Sequence, residues 1–339
     1  MKKVLALVLL ISMILVGVMG CGASDSQPAA GDKSESAEAP SASNDYPQQQ
    51  IKMIIPYGPG GATDIIFRRI AAAAEKHLGQ NIVPVNMQGA SSTIGSREVK
   101  DAKPDGYTIL ASHDVIATAY LTGVVDYSFE AFDPIALLTQ TPNIAAVHKD
   151  SGWKDLKDLV GYIQAHPGEV KWGITPGSTS HFFAANMLKK AGLTAEDVRM
   201  IGYQGTGPAT NALLAKEIEG TMLNYTSGKG YFDDGTFIPL GVAHDERLAE
   251  IPDVPTFIEQ DINMLDSTSR GIFAPEGTPE EILMKIEEAF QKALEEPEVK
   301  KDIEALGSLI KFKPHNEYKD FVTELQEEYT ELAKDMDLK

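Results

Sequence analysis

The sequence predicts an α/β fold, and three features predict it. Apolar runs of strand length alternate with amphipathic stretches of helix length. The joints between them are rich in Gly, Pro, Ser and Thr. The alternation occurs twice, over residues 51–111 and again over 156–243. Strands separated by helices imply βαβ units and a parallel sheet, because a parallel pair needs a long crossover that a helix supplies.

In the first stretch, Ile51 to Pro56 reads as a short apolar strand and Gly58 to Thr63 as a turn. Asp64 to His77 is predicted helical, with Ile66, Ile70, Ala73, Ala74 and His77 on one face and Gly79 as its C-cap. Ile82 to Val85 and Tyr107 to Ala111 are the next strands. In the second stretch, Leu156 to Ala165 is a helix ended by His166-Pro167-Gly168, and Val170 to Ile174 is a strand. His181 to Ala191 is a helix closed by Gly192, and Arg199 to Tyr203 is a strand. Pro208 to Lys216 is a helix, and Phe237 to Ala243 is a strand. The remainder is helical. Thr278-Pro279-Glu280-Glu281 reads as a capping box with Pro279 in the first helical position, Pro297 ends that helix, and Glu298 to Leu306 stops at Gly307. A last helix starts at Asn316.

The N-terminus has a different character. Lys2 and Lys3 precede an uncharged, mostly apolar run from Val4 to Val16, shorter than the ~20 residues that span a bilayer. That is the layout of a secretory signal, predicted over residues 1–20. The run leads into Val18-Met19-Gly20-Cys21, which resembles the lipobox of bacterial lipoproteins. The resemblance implies a diacylated Cys21 as the mature N-terminus. Cys21 is the only cysteine, which excludes an intramolecular disulfide and a cysteine metal site. Residues 21–49 hold no Leu, Ile, Val or Phe and cannot bury enough apolar surface to order themselves, so they read as a flexible tether.

With 49 Asp and Glu against 30 Lys and Arg, the net charge of −19 weighs against nucleic acid as a partner and against long-range steering of an anion. Any anionic ligand must be held by local donors. Three strand-to-helix turns offer them: Tyr57-Gly58-Pro59-Gly60-Gly61-Ala62-Thr63-Asp64, Thr175-Pro176-Gly177-Ser178-Thr179-Ser180-His181 and Gln204-Gly205-Thr206-Gly207-Pro208. A looser loop, Gly89 to Ser96, contains Ser92. Helix N-termini carry unpaired N–H groups and the positive end of the helix dipole, so they bind anions without a cationic side chain. In an open α/β sheet such turns gather at the carboxyl ends of the strands. Each turn alone also reads as an ordinary turn and N-cap, with Ser178 a cap, His181 solvated and Asp64 complementing the dipole. Enzyme motifs are absent: Thr63 stands where a dinucleotide fingerprint needs its third Gly, and no P-loop, G-x-S-x-G or H-E-x-x-H occurs.

The loops in their order resemble the receptors of tripartite tricarboxylate transporters, the TctC or Bug family of solute-binding proteins. Pro56 to Asp64 is similar to the family's P-F-P-P-G-G-x-x-D, and Lys103-Pro104-Asp105-Gly106-Tyr107-Thr108 to its A-x-P-D-G-Y-T. Gly177 to His181, Gly205 to Ala209, Ile251 to Thr256 and Ala274 to Pro279 continue the series. The resemblance implies a two-lobed type II periplasmic-binding-protein fold with a hinge and an interlobe ligand cleft. Residues 50–144 and 243–339 would form lobe one and 145–242 lobe two, with crossings near Asn143–Val147 and Pro239–Ala243. It implies that Gly60, Gly61 and Thr63 of lobe one and Ser178, Thr179 and His181 of lobe two face a ligand carboxylate. Asp64 would orient its loop, Tyr203 and Gly207 would lie nearby, and Tyr57, Ser92 and Asn224 complete the expected site.

Three departures from the family matter. Tyr57 and Gly58 stand where Phe and Pro are common, and Leu223 precedes Asn224 where many members carry an acid. The missing acid removes a partner for a ligand ammonium and points to an uncharged or anionic distal part. The expectation is a receptor and not an enzyme, without cofactor or metal, monomeric, and held by lipid at the outer face of the cytoplasmic membrane. It would deliver a di- or tricarboxylate or an aromatic acid to an integral membrane permease. The alternative role is ligand sensing for a membrane sensor kinase.

Overall fold

The first strand, β1 (Ile51–Ile55), sits between two parallel neighbours, β2 (Ile82–Asn86) and β3 (Thr108–Ser112). The structure, a computed structural model, describes residues 46–90 and 92–336; the signal segment, Cys21 and the tether up to residue 45 lie outside them. Crossovers between these strands are made by α1 (Ala62–Leu78) and α2 (Thr93–Lys100), and α3 (Val115–Leu121) follows β3. A long strand, β4 (Phe132–His148), then runs through the whole sheet. Beyond it come α4 (Leu156–Ala165), β5 (Lys171–Ile174), α5 (Thr179–Lys190), β6 (Arg199–Gly202), α6 (Thr206–Leu214), β7 (Gly220–Asn224), α7 (Tyr225–Asp233) and β8 (Phe237–Val242). The chain returns through β9 (Ser267–Pro275), α8 (Glu280–Glu295), α9 (Pro297–Glu304), β10 (Leu309–Lys313) and α10 (His315–Ala333).

The strand order is β2-β1-β3-β9-β4-β7-β5-β6, with β8 and β10 also paired to β4. Parallel trios lie at both ends of this order, and antiparallel β4 and β9 occupy its middle. β4 changes partners part-way. Phe132 to Pro142 pairs with β9, and Asn143 to Val147 pairs with β7. The return crossing is fixed at the same level: Ala243 N–H donates to Asn143 O (2.9 Å), Asp266 N–H to Ala243 O (2.8 Å) and Asn143 N–H to Asp266 O (3.1 Å).

Alternation along each strand sends side chains to opposite faces, and helices cover both. Met53, Ile55, Ile109, Ala111, Ile272 and Ala274 pack under α1, α8 and α9. Ile54, Leu110, Leu137 and Phe273 pack under α2, α3 and α10. In the other half, Ala145, Trp172 and Met222 face α4 and α5, while Ala146 and Leu223 face α6. Burial of each large apolar side chain contributes ~1.5–3 kcal/mol, so the helical stripes of Ile66 and Ile70, or of Ile282, Ile286 and Phe290, are structural.

Several expectations need correction. Tyr46, assigned to the tether, is buried, and its hydroxyl donates to Gly106 O (2.7 Å). The capping box at Thr278 is not formed. Pro279 is itself the N-cap of α8, the Thr278 hydroxyl donates to Pro275 O (2.7 Å), and the Thr278 N–H is taken by Asp133 (3.0 Å). The helices predicted from His181 and Pro208 start two residues earlier, at Thr179 and Thr206. A purely parallel sheet is replaced by a mixed one through β4 and β9. Among the described residues no helix is long and apolar enough to cross a membrane.

Candidate functional site

The carboxyl ends of β1, β2 and β3 share one hydrogen-bond network. After β1, the chain turns at Gly60, whose φ of +81° favours glycine. The turn brings the Gly60 N–H onto Asp64 Oδ2 (2.9 Å). Asp64 Oδ1 accepts from Arg68 Nε (2.8 Å) and from Asn86 Nδ2 (2.8 Å) at the end of β2. Asn86 Nδ2 also reaches Tyr57 O (3.0 Å), which ties the start of the loop to the same carboxylate. Burial pushes the Asp64 carboxyl up, but the Gly60 N–H, Asn86 and Arg68 outweigh it and hold it below the usual range. Asp64 is therefore an ionised brace for the loop. The first N–H groups of α1, from Gly61 to Thr63, have no acceptor within the helix, and Gly61 supplies no side-chain cap.

Tyr57 is the second part of the network. Its ring stacks on His113 (4.6 Å, 6°) and its hydroxyl bonds Ser112 Oγ (3.0 Å), with Ser92 also against it. Burial holds the phenol well above its ordinary value. Burial, with Arg270 adding, drives the His113 imidazole down to about 3, so it is neutral. Thr63 Oγ1 accepts from Arg270 Nε (2.9 Å), a side chain that reaches across from β9.

In the other half, β5 leads through Thr175 to Gly177 into α5. The Ser178 hydroxyl gives its proton to Thr175 O (2.8 Å) and its oxygen accepts from Ser180 N–H (3.3 Å), the bonding of an N-cap. Ser180 Oγ accepts the Thr175 N–H (2.9 Å). Gly177 N–H donates to His181 Nδ1 (3.2 Å), so Nδ1 is the unprotonated ring nitrogen. His181 is buried rather than solvated. Thr179 opens α5 and is half-buried. Gly205 N–H donates to Thr175 Oγ1 (3.1 Å), which joins the next loop to this one.

The two halves touch here. A side chain added at Gly177, where φ is +69°, would meet Thr122 Cγ2 at 2.5 Å, so this glycine permits the approach of the β5–α5 loop to the end of α3. Tyr57, Gly60, Gly61, Thr63, Asp64 and Ser92 thus fall in one cluster, and Ser178, Thr179 and His181 in a second. Tyr203 is half-buried and Gly207 exposed, without a side-chain bond to either. Asn224 caps α7, with its Oδ1 accepting from Ser227 N–H (3.0 Å). Asn86, Ser112, His113, Asp114 and Arg270 join the first cluster and were not singled out in the sequence. Ser112-His113-Asp114 directly follows a recognised strand, where α/β sheets collect ligands. Arg270 is a lone cation at the head of the apolar run Gly271-Ile272-Phe273-Ala274.

Residues 66–338 match the model of the tripartite tricarboxylate transporter family receptors. The chain belongs to that family. The match begins two residues after Asp64 and so takes in all of the fold beyond the first loop. A UPF0065 protein of Bordetella pertussis is 30% identical to this receptor over 261 residues, 74% of this chain and 78% of that one. BugT of the same organism is 26% identical over 80% of this chain and 84% of its own length. Among solved structures, a TctC solute-binding protein from Polaromonas superposes with a TM-score of 0.75 at 28% identity, covering 86% of this receptor and 100% of that chain. MatC from Rhodopseudomonas palustris, solved with bound malate, superposes with a TM-score of 0.70 at 28% identity, covering 85% and 100%. The two-lobed α/β fold of periplasmic solute-binding proteins is therefore that of this receptor.

Proposed function

We propose that this receptor captures a small organic carboxylate between two lobes, residues 50–144 with 243–339 and residues 145–242, and delivers it to an integral membrane permease. The observation that carries this reading is the donor character of the loops that open α1 and α5. Gly61 to Thr63 and Thr179 offer N–H groups and hydroxyls, and the carboxylate beside them, Asp64, is held by Gly60, Arg68 and Asn86. Such a surface suits an anion, since Arg68 offsets the Asp64 charge. The malate held by MatC supports a small carboxylate as the ligand class. Binding would draw on charge-assisted hydrogen bonds in a cleft shielded from water, with hinge closure about β4 and the Ala243 crossing. Catalysis has no part in this reading.

The tether and Cys21 complete the proposal. Acyl chains on Cys21 would hold a monomeric receptor at the outer face of the cytoplasmic membrane, each buried methylene contributing ~0.8 kcal/mol. Mass spectrometry of the chain extracted from membranes should show acylated Cys21 at the N-terminus; an unmodified, freely secreted chain would remove the anchor. For the ligand, residues 23–339 should be screened by thermal shift against malate, adipate and citrate and their matched amides. A ligand at about 100 times its Kd stabilises the folded state by about 2.7 kcal/mol. A carboxylate should raise the melting temperature where its amide does not. A response to sugars, amines or metals alone would leave the fold standing and the function wrong.

A further inference from the structure

Arg270 is an unusual occupant of its place. It sits inside β9, flanked by Ser269 and Gly271, and only 3% of it is exposed. Its Nε donates to Thr63 Oγ1 (2.9 Å), and its Nη1 to Thr141 Oγ1 (2.5 Å) and Thr268 O (3.4 Å). All these partners are neutral oxygens, and none of the ion pairs among the described residues includes Arg270. A buried charge without a counter-charge is costly, and proteins normally pair it. The acid whose charge bears on Arg270 is Asp114, whose Oδ2 accepts the Ser269 N–H (3.0 Å). Burial above all pushes its carboxyl up to about 8 and Asp266 adds to that, against the Ser269 N–H and Arg270, so near neutral pH it is mostly protonated. Burial lowers the Arg270 guanidinium only to about 10, which leaves it charged. Its hydrogen-bond partners being neutral, the guanidinium is left as a buried cation in want of a counter-charge.

The polarity of the Thr63 bond adds direction. A guanidinium can only donate, so Thr63 Oγ1 must accept from it. The proton of Thr63 is then left for another acceptor, and the described residues supply none. We propose that Arg270 is the buried counter-charge of the ligand carboxylate and a positioning residue for Thr63, fixing that hydroxyl as a donor to the bound anion. This rests on the carboxylate-receptor reading and deepens it. It explains how a protein of net charge −19 holds an anion without a cationic side chain in its loops. Selectivity for a carboxylate over its neutral amide resides in Arg270, and the loop N–H groups, which serve both, do not discriminate.

Isothermal titration tests it, with malate and malamide as the first probe pair, adipate and adipamide as the second, citrate and its triamide as the third. The variants are Arg270→Gln, Arg270→Lys and Thr63→Val, each checked for folding by circular dichroism. Wild type should prefer the acid. Arg270→Gln should cut the affinity for the acid by about ten- to hundred-fold, the span of a lost hydrogen bond to a charged group, and leave the amide nearly unchanged. Arg270→Lys, which keeps the charge, should restore most of the preference. Equal losses for acid and amide, or an unchanged ratio in Arg270→Gln, overturn the proposal as mere packing. If Arg270→Gln does not fold, Thr63→Val with Arg270 intact is decisive: the acid-to-amide ratio must fall, and a retained ratio overturns the role. Failure of wild type to bind any acid of the panel overturns the receptor reading and this role together.

Discussion

Ser178 and Thr63 look alike in sequence, each a hydroxyl in the turn before a helix, and the structure gives them different work. Ser178 spends its proton on Thr175 O and its acceptor on Ser180 N–H, so it is bound up within its own loop. Thr63 receives Arg270 and keeps its proton. Replacement of Ser178 by Ala should therefore cost ~1 kcal/mol of stability, the loss of an N-cap, and should weaken carboxylate binding only through loosening of the α5 loop. Thr63→Ala should lose ~1–3 kcal/mol from binding and should also cost stability, because the buried Arg270 Nε loses its acceptor. Urea denaturation and titration of both variants would check this. A Ser178→Ala protein of normal stability and poor affinity would return Ser178 to the ligand.

At the scale of elements, α1, α4 to α6 and α8 to α10, with the outer strands β2 and β6, were legible because each carries a one-sided pattern, whereas the short α2, α3 and α7 were not. Ile66, Ile70, Ala73 and Ala74 repeat at the helical period, and Gly79 marks the end with a φ of +77°. β4 was not legible as one strand. It is buried on both faces, so it shows no alternation, and Pro134 and Pro142 within it argue against a central strand. Register shifts between Pro134 and Ala136 and between Leu137 and Thr139 accommodate the break. β9 hides for the same reason, and with it Arg270. β7 and α7 meet at Asn224, whose capping role a sequence cannot separate from a ligand contact. The loops of the candidate site were legible as donor-rich turns. Their partners across the sheet were not, because Asp64 with Asn86, Tyr57 with His113 and Thr63 with Arg270 join residues brought together only by strand order.

For the whole molecule, buried carboxyls set how stability depends on pH. Asp114 is pushed up to about 8, chiefly by burial, and Asp266, bonded by Asn143 Nδ2 (2.5 Å) at the crossing between the halves, is pushed up to about 7 by burial and then by Glu328. An acid raised in the folded state keeps its proton where the unfolded chain has released it. The folded state then binds more protons between about pH 4 and pH 8, and stability falls as pH rises through that window. Asp64 works the other way: its carboxyl is held below the usual range, so its contribution is present above the unfolded value and lost only in acid. The exposed acids with Lys or Arg partners add little. The urea midpoint should therefore decline from pH 5 to pH 8.5, with the unfolding free energy falling by an amount of the order of a few kcal/mol. Asp114→Asn retains an acceptor for the Ser269 N–H but no longer titrates. It should match wild type at or below about pH 4, exceed it increasingly above that and show a flatter profile up to pH 8.5. Asp266 raises Asp114, so removing Asp266 also eases Asp114, and the double variant should gain less than the two single variants combined. A wild-type midpoint that climbs with pH, or an Asp114→Asn profile parallel to it, would mean that these carboxyls are ionised in the fold and that Arg270 has its counter-charge already.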